Sequence, residues 1–197
     1  TFPEKELERL RKLQLAGIQQ EKAQARGIAA RIYPKLIYGE GHAYANPRSG
    51  SGYEETVKAI TAADLRAFHQ TWLRPDTSTL LIVGDTTLAQ IKPLLEKQLG
   101  GWKAPAEAKP VKNLAAVALP DKPRVFLVNK TGAEQTLLLA AHVAPPKSDP
   151  DDLAMQAAVT ALGGNFVSRL NMNLREDKHW SYGAGAGLSD ARGPRPF

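Results

Sequence analysis

Apolar residues recur at helical spacing along the first thirty residues of the chain. Leu7 and Ile18 lie on one face of this pattern, and acidic residues stand near its start, where the positive end of a helix dipole favours them. A glycine late in the pattern indicates a bend. We therefore predict a helix over residues 1–31, a kink at 26–27 and a second short helix over 28–36.

Helix-starting signals precede three further segments. Thr61 with Asp64 three residues later forms a capping-box pattern, and Thr86 or Thr87 offers a second N-cap. A serine, a proline and acidic residues at 148–152 form a third start signal. These signals predict helices that end near residues 73, 99 and 162, and a fourth helix follows over 166–178.

Four apolar runs have the length and composition of strands. The last run alternates glycine with larger residues, which places small residues on one side of a pleat. The predicted strands are residues 79–83, 124–129, 134–142 and 180–188.

Blocks of helices and strands predict an α+β fold, with helices packed on one face of a mainly antiparallel sheet. The proline-rich stretch 104–120 has no firm period and is interpreted as a linker. We expect residues 1–103 to form the C-terminal part of one α+β domain and residues 121–197 the N-terminal part of a second.

Composition excludes several function classes. The chain has 197 residues and no cysteine, which excludes a disulfide framework, a cysteine nucleophile and a zinc ribbon. The net charge is +6, and the parts before and after residue 108 carry +3 each. Such an even charge distribution is not typical of a nucleic-acid interface. No apolar run approaches the ~20 residues of a membrane span.

The four histidines lack the spacing of a zinc-peptidase motif. Neither His-Glu-x-x-His nor His-x-x-Glu-His occurs, and these are the spacings that place two ligands and a general base on one helix turn. Taken singly, each is best interpreted as a structural or surface residue: His42, His69, His142 and His179.

The segment 162–187 resembles the pitrilysin/insulinase family of metallopeptidases, the inverzincins. Family members typically have a Leu-Gly-Gly-Gly turn, then Ser-Arg-Leu on a helix, then Leu-Arg-Glu and a tyrosine that enters a strand. Matching pieces occur in the family's order along the chain: residues 39–44, 60–68, 73–85, 162–170 and 174–182.

This resemblance implies a role for a pair of side chains. In the family one half of a clamshell carries zinc, while the opposite half supplies an arginine and a tyrosine seven residues apart. Here these are Arg175 and Tyr182, which the resemblance assigns as catalytic and substrate-binding. The turn Gly163, Gly164 and Asn165 is assigned to substrate binding. The chemistry is sensible, because a guanidinium donates to peptide carbonyls and a phenol can bind an oxyanion.

The same resemblance implies that zinc belongs to a partner half. In zinc-bearing halves the first helix supplies a glutamate ligand, but the corresponding positions here are Leu10 and Gly17. We therefore expect no metal in this chain, which alone should be inactive. The expected partners are a zinc-bearing half, in the same polypeptide or a separate subunit, and a peptide substrate. Family habit suggests export to a bacterial periplasm, with the cytoplasm left open.

Three alternatives stay open at this point. Arg175 could pair with a nearby acid while Tyr182 packs in a sheet, which would make both structural. The chain could belong to a family member that has lost catalysis and serves as an assembly or core subunit. It could also be an unrelated basic binding module, whose affinity for polyanions would fall with salt.

Overall fold

The computed structural model describes residues 2–197, so Thr1, where the predicted first helix begins, lies outside the described residues. The described chain is mostly helical and contains one small sheet. Its α-helices are α1 (Glu4–Ala23), α2 (Ala25–Tyr38), α3 (Glu54–Ala59), α4 (Ala62–Trp72), α5 (Leu88–Leu99), α6 (Asp152–Val159) and α7 (Arg169–Asn171). The short strands β1 (Val143–Ala144) and β2 (Arg195–Pro196) pair antiparallel.

Contacts divide the chain into two compact units. One combines the chain up to Gly17 with Tyr53–Val111, and the other combines Ile18–Gly52 with Lys112–Phe197. Each unit is therefore built from two separate stretches of sequence. The predicted division at residues 104–120 into two successive domains stays a prediction.

The caps in the first unit agree with the sequence. The Thr61 hydroxyl accepts a hydrogen bond from the Asp64 amide at 3.2 Å, and the Asp64 carboxylate accepts from the Thr61 amide at 2.8 Å. Thr87 and Gln90 form the same reciprocal arrangement at the start of α5. Both pairs satisfy amides that the first helical turn leaves without intrahelical partners.

The end of α3 is held by a cation from α1. The Arg11 guanidinium donates to the Lys58 carbonyl at 3.0 Å and to the Ile60 carbonyl at 2.6 Å, and it also contacts the Val57 carbonyl. Carbonyls in the last turn of a helix lack intrahelical donors, so a positive charge placed there stabilises the helix end.

The break between α1 and α2 lies at Gln24, slightly before the predicted kink. Gln24 adopts an extended conformation, and α2 begins at the next residue. Gly27 then approaches the end of α1 so closely that a Cβ atom would lie 2.2 Å from the Glu21 carbonyl oxygen. The glycine that signalled a kink is thus needed for close approach beside the break.

The helical segments after residue 150 are shorter and less regular than predicted. Asp151 is the N-cap of α6, and the helix continues from Thr160 to Gly164 with π-type hydrogen bonding. After α7 the chain again adopts a π-helix over Met172–Asp177.

The four predicted strands are wrong in the described residues. Residues 79–83, 124–129, 134–142 and 180–188 have no regular strand structure, and β1 begins only after the third of them. An apolar run becomes a strand only when a second backbone pairs with it in register. These runs have almost no backbone partners, and many of their large apolar side chains are exposed. The sheet is therefore two-stranded, and a mainly antiparallel sheet in each domain is not confirmed.

An aromatic cluster anchors the second unit. Tyr38, Ala45 and Val143 form its buried core, and the Tyr38 hydroxyl donates to the Pro194 carbonyl at 2.9 Å. The Tyr38 ring stacks on His42 with centroids 4.7 Å apart. Burial raises the pKa of Tyr38 to about 12, so this hydroxyl remains a hydrogen-bond donor throughout the neutral range.

A buried ion pair joins the start of α6 to β2. Arg195 is completely buried, and its Nη2 atom lies 2.5 Å from the Asp152 carboxylate. Gln156 also donates to this carboxylate, at 2.5 Å. Burial raises the pKa of Asp152, but the ion pair with Arg195, the hydrogen bond from Gln156 and the charge of Lys147 outweigh it and leave the pKa below its ordinary value.

This pair predicts a pH-dependent stability. Because the folded-state pKa of Asp152 is lowered, its contribution is complete above the unfolded pKa of about 3.9 and is lost as pH falls through the folded value. We expect Asp152→Asn to lower the melting temperature at pH 7 by about 5 °C or more, because buried Arg195 loses the nearer of its two carboxylate partners, Asp190 being 3.8 Å away.

Thermal melts between pH 7 and pH 2.5 check this prediction. The difference between Asp152→Asn and the parent chain should narrow toward the acid end of the series. Asp151→Asn is the matched control, because the Asp151 side chain is exposed and makes no cap hydrogen bond. An unchanged melting difference across the pH series would contradict the assignment.

Candidate functional site

The structure brings Arg175 and Tyr182 together. Arg175 lies on the π-helix, and its guanidinium carbon is 4.8 Å from the centroid of the Tyr182 ring. A second ring, that of Phe166, lies 4.8 Å from the same carbon. Both rings are within the ~6 Å over which an aromatic ring attracts a cation.

The pair is accessible to solvent. Tyr182 is 90% exposed, and the Arg175 side chain is 32% exposed. Tyr182 therefore does not pack in a sheet. Arg175 does have an acidic neighbour, since its Nε atom lies 3.2 Å from a Glu176 carboxylate oxygen. An exposed pair between adjacent residues contributes little energy and leaves the Nη donors for other partners.

The chain segment that carries Tyr182 is held against the end of the Thr160–Gly164 helix. The Ala186 amide donates to the Gly163 carbonyl at 2.9 Å. A Cβ atom on Gly163 would lie 2.3 Å from the Ala186 nitrogen, so only glycine permits this approach. Gly163, which the resemblance assigns to substrate binding, therefore lies at the point where the 180–188 segment contacts this helix.

The next two residues of the predicted turn complete the connection to α7. A Cβ atom on Gly164 would be 3.4 Å from the Thr160 side chain, which is an ordinary contact. The Asn165 carbonyl accepts from the Ser168 amide at 3.2 Å. The turn thus positions Phe166 immediately before α7. Substrate contact by Gly163, Gly164 and Asn165 stays a prediction.

Two residues of the site were missed from the sequence. Phe166 supplies the second ring on Arg175, and Asn171 is buried with both ends of its amide hydrogen-bonded. An aromatic residue directly after the glycine turn was a usable signal for Phe166. No sequence signal identified Asn171, because asparagine within a helix usually faces solvent.

The histidines do not gather into a site. His42 accepts a hydrogen bond at Nδ1 from the Tyr44 amide and is buried between Tyr38 and Tyr44. His179 ends the π-helix with a positive φ of 56°, and its Nδ1 atom is 3.0 Å from the Arg175 carbonyl. These two are structural in the second unit.

The described residues do not fit the family's zinc. Residues 2–197 contain no cluster of three or more histidine, aspartate or glutamate side chains that could hold a metal ion. Leu10 and Gly17, which correspond to the family's glutamate positions, both lie on α1 and offer no ligand atoms.

No helix among the described residues has the length and apolar character that a membrane crossing requires.

Comparisons with known proteins identify the family. The sequence pattern of the family described as "Peptidase M16 inactive domain" matches residues 59–197. A protein of Mycobacterium leprae described as an uncharacterized zinc protease is 26% identical over 133 residues, which are 66% of this chain and 29% of that protein.

Two solved structures share the fold. A peptidase M16 inactive domain from Pseudomonas fluorescens has a TM-score of 0.73 and 22% identity, and the match covers 100% of this chain and 46% of that one. A protease from Helicobacter pylori has a TM-score of 0.84 and 18% identity, with 100% and 47% coverage. The chain thus spans less than half the length of each relative.

The match to the family pattern covers well over half of the chain, which confirms the resemblance found in the 162–187 segment. The chain belongs to the peptidase M16 inactive domain family.

Proposed function

We propose that this chain is a substrate-binding part of the zinc-free half of a pitrilysin/insulinase-type metallopeptidase, and that it assists peptide hydrolysis at a zinc site on a partner half. The observation that carries the proposal is the exposed contact of Arg175 with Tyr182, seven residues apart in sequence and 4.8 Å apart from cation to ring. Membership of a family of inactive domains and the zinc-protease relative support it.

The stacked guanidinium is suited to hold a peptide backbone. Contacts with the two rings do not use its N–H groups, so the Nη donors can donate to peptide carbonyls. Stacking also restricts the rotation of the long side chain, so less conformational entropy is lost when a peptide binds. Arg175 would therefore act both before and during the reaction.

Tyr182 is suited to act on the reacting carbonyl. Its ring contacts Arg175, while the residue as a whole remains 90% exposed. The hydroxyl is a neutral donor that can hydrogen-bond the oxyanion developing on the scissile carbonyl. This interaction would be stronger in the transition state than in the bound substrate, which is the requirement for acceleration.

An assembly role is the second candidate. Large apolar side chains are exposed in residues 80–83 and 125–128 of the two units, and such surfaces often mark interaction sites. A catalytically inactive family member that serves as a core subunit would use such surfaces for assembly. We also propose export to the periplasm, on the sole ground that many bacterial members of the family are exported.

Substitutions of the pair test the proposed role in the complete enzyme. We expect Tyr182→Phe to lower kcat roughly 10- to 1,000-fold with little change in KM, the range for losing one oxyanion donor. Arg175→Ala should impair both kcat and KM, and Arg175→Lys should restore little, because a point charge does not reproduce a planar fork.

Steady-state kinetics on a peptide substrate, with a thermal melt of each variant, give the result. Arg192→Ala is the matched control, because Arg192 is an exposed arginine of the same unit. If Tyr182→Phe folds normally and cleaves at the parent rate, the pair is structural and the assembly role is the better proposal.

Metal analysis tests the assignment of zinc to the partner half. We expect no stoichiometric zinc in the purified chain, because Leu10 and Gly17 replace the glutamates and no ligand cluster exists in residues 2–197. Elemental analysis after dialysis against a weak chelator measures the content. A tightly bound zinc ion in every chain would refute the assignment.

A further inference from the structure

We propose that Asn171 is the positioning residue of the Arg175–Tyr182 pair, because its buried amide hydrogen-bonds both chain segments whose rings contact the Arg175 guanidinium. The expected effect of Asn171 on catalysis rests on the proposed function, whereas the placement of the two rings by Asn171 does not.

The Asn171 side chain reaches the two segments with opposite ends of one amide. Its Nδ2 atom donates to the Phe166 carbonyl at 2.7 Å, and its Oδ1 atom accepts from the Ala184 amide at 3.2 Å. These partners lie five residues before and thirteen residues after Asn171 in the sequence. A single side chain therefore sets the separation between the turn that carries Phe166 and the segment that carries Tyr182.

Packing alone does not hold the two rings in place. Phe166 is 57% exposed and Tyr182 is 90% exposed, whereas Asn171 is only 5% exposed. The rings therefore depend on the backbone that carries them. A buried amide with both ends paired is a rigid support, since breaking either hydrogen bond would leave a buried polar group without a partner.

Tyr182 lies between two anchored positions. The Trp180 amide donates to the Leu174 carbonyl at 2.9 Å, and the Ala184 amide donates to Asn171. The segment 180–188 has no strand pairing, so these contacts and the Ala186–Gly163 hydrogen bond are what attach it to the helices in the described chain. Loss of the Asn171 contact would free the residues around Tyr182 on their C-terminal side.

Arg175 itself follows Asn171 by four residues, about one helical turn. Asn171, which supports the two rings, and Arg175, which the rings contact, therefore lie on the same helical segment. Asn171→Ala should leave Arg175 in place while the rings separate from it. A misplacement of about 1 Å in a catalytic group can lower activity about 100-fold.

Side-chain NMR of Arg175 directly tests whether Asn171 holds the Phe166 and Tyr182 rings against the guanidinium. The two rings should shift the Arg175 side-chain proton resonances upfield relative to a Phe166→Leu, Tyr182→Leu double variant, which keeps the Glu176 contact at Nε. We expect Asn171→Ala to abolish most of this shift. Asn173→Ala is the matched control, because Asn173 is an exposed asparagine of the same helical segment, and it should leave the shift unchanged.

Asn171→Asp separates the two contacts. A carboxylate still accepts from the Ala184 amide but no longer donates to the Phe166 carbonyl. This variant should retain the contribution of Tyr182 and lose that of Phe166, so that only part of the shift disappears. Phe166→Leu, at an exposed position that should not impair folding, is expected to give the same partial loss.

Kinetics of the complete enzyme then test the catalytic consequence. We expect Asn171→Ala to lower kcat about 10- to 100-fold, with a smaller change in KM, and Asn173→Ala to match the parent. Phe166→Leu should cause a smaller decrease in kcat than Asn171→Ala.

The outcomes separate this inference from the proposed function. A parent-like Arg175 shift in folded Asn171→Ala overturns the inference whatever the activity. A lost shift with parent-like kcat, in an enzyme that Arg175→Ala inactivates, refutes the catalytic consequence. If Arg175→Ala is itself fully active, the proposed function fails, and a lost shift in Asn171→Ala still supports the positioning of the rings.

Discussion

The close approach of Gly163 to Ala186 is the constraint on which the site depends. The hydrogen bond between their backbones is 2.9 Å long, and a methyl group at residue 163 would overlap the Ala186 nitrogen. Without this approach the segment 180–188 would have no support at its far end, because no sheet holds it. Glycine is therefore required at residue 163 by the packing of the chain itself, independently of any contact with a substrate.

The arrangement around Arg175 follows from this constraint. Once the segment lies against the end of the helix, the Tyr182 and Phe166 ring centroids each lie 4.8 Å from the guanidinium carbon. Such stacking orders a long cationic side chain without using its N–H groups. The neighbouring Glu176 carboxylate engages only the Nε side of this guanidinium.

Several apolar runs of the described chain have no backbone partners. Apolar runs such as residues 79–83 and 124–129 are exposed and have no ladder of backbone hydrogen bonds. Their composition still favours burial, so they are surfaces at which other residues can pack. The family relatives are more than twice as long as this chain, which fits with surfaces of this kind.

Local chemistry made part of the structure predictable from the sequence. The Thr61–Asp64 capping box required only neighbours three residues apart, and the cap of α5 is Thr87, one of the two threonines that the sequence offered. The family was predictable from the 162–187 segment, whose order of small, polar and aromatic residues was sufficient to place Arg175 seven residues before Tyr182.

Tertiary structure alone decided the rest. The apolar runs were predicted as strands, but pairing depends on a second backbone that no local pattern supplies. The break at Gln24 was predicted two residues too late, because Gly27 marks a close approach to Glu21 and not the break itself. The role of Asn171 depends on hydrogen bonds to residues on both sides of it, thirteen residues away on one side. The sequence by itself determined the family and the starts of α4 and α5, and it singled out Arg175 and Tyr182 as a candidate pair. Only the folded chain determined that Phe166 and Asn171 belong to the same site, because contacts across a turn and an irregular segment leave no periodic signal.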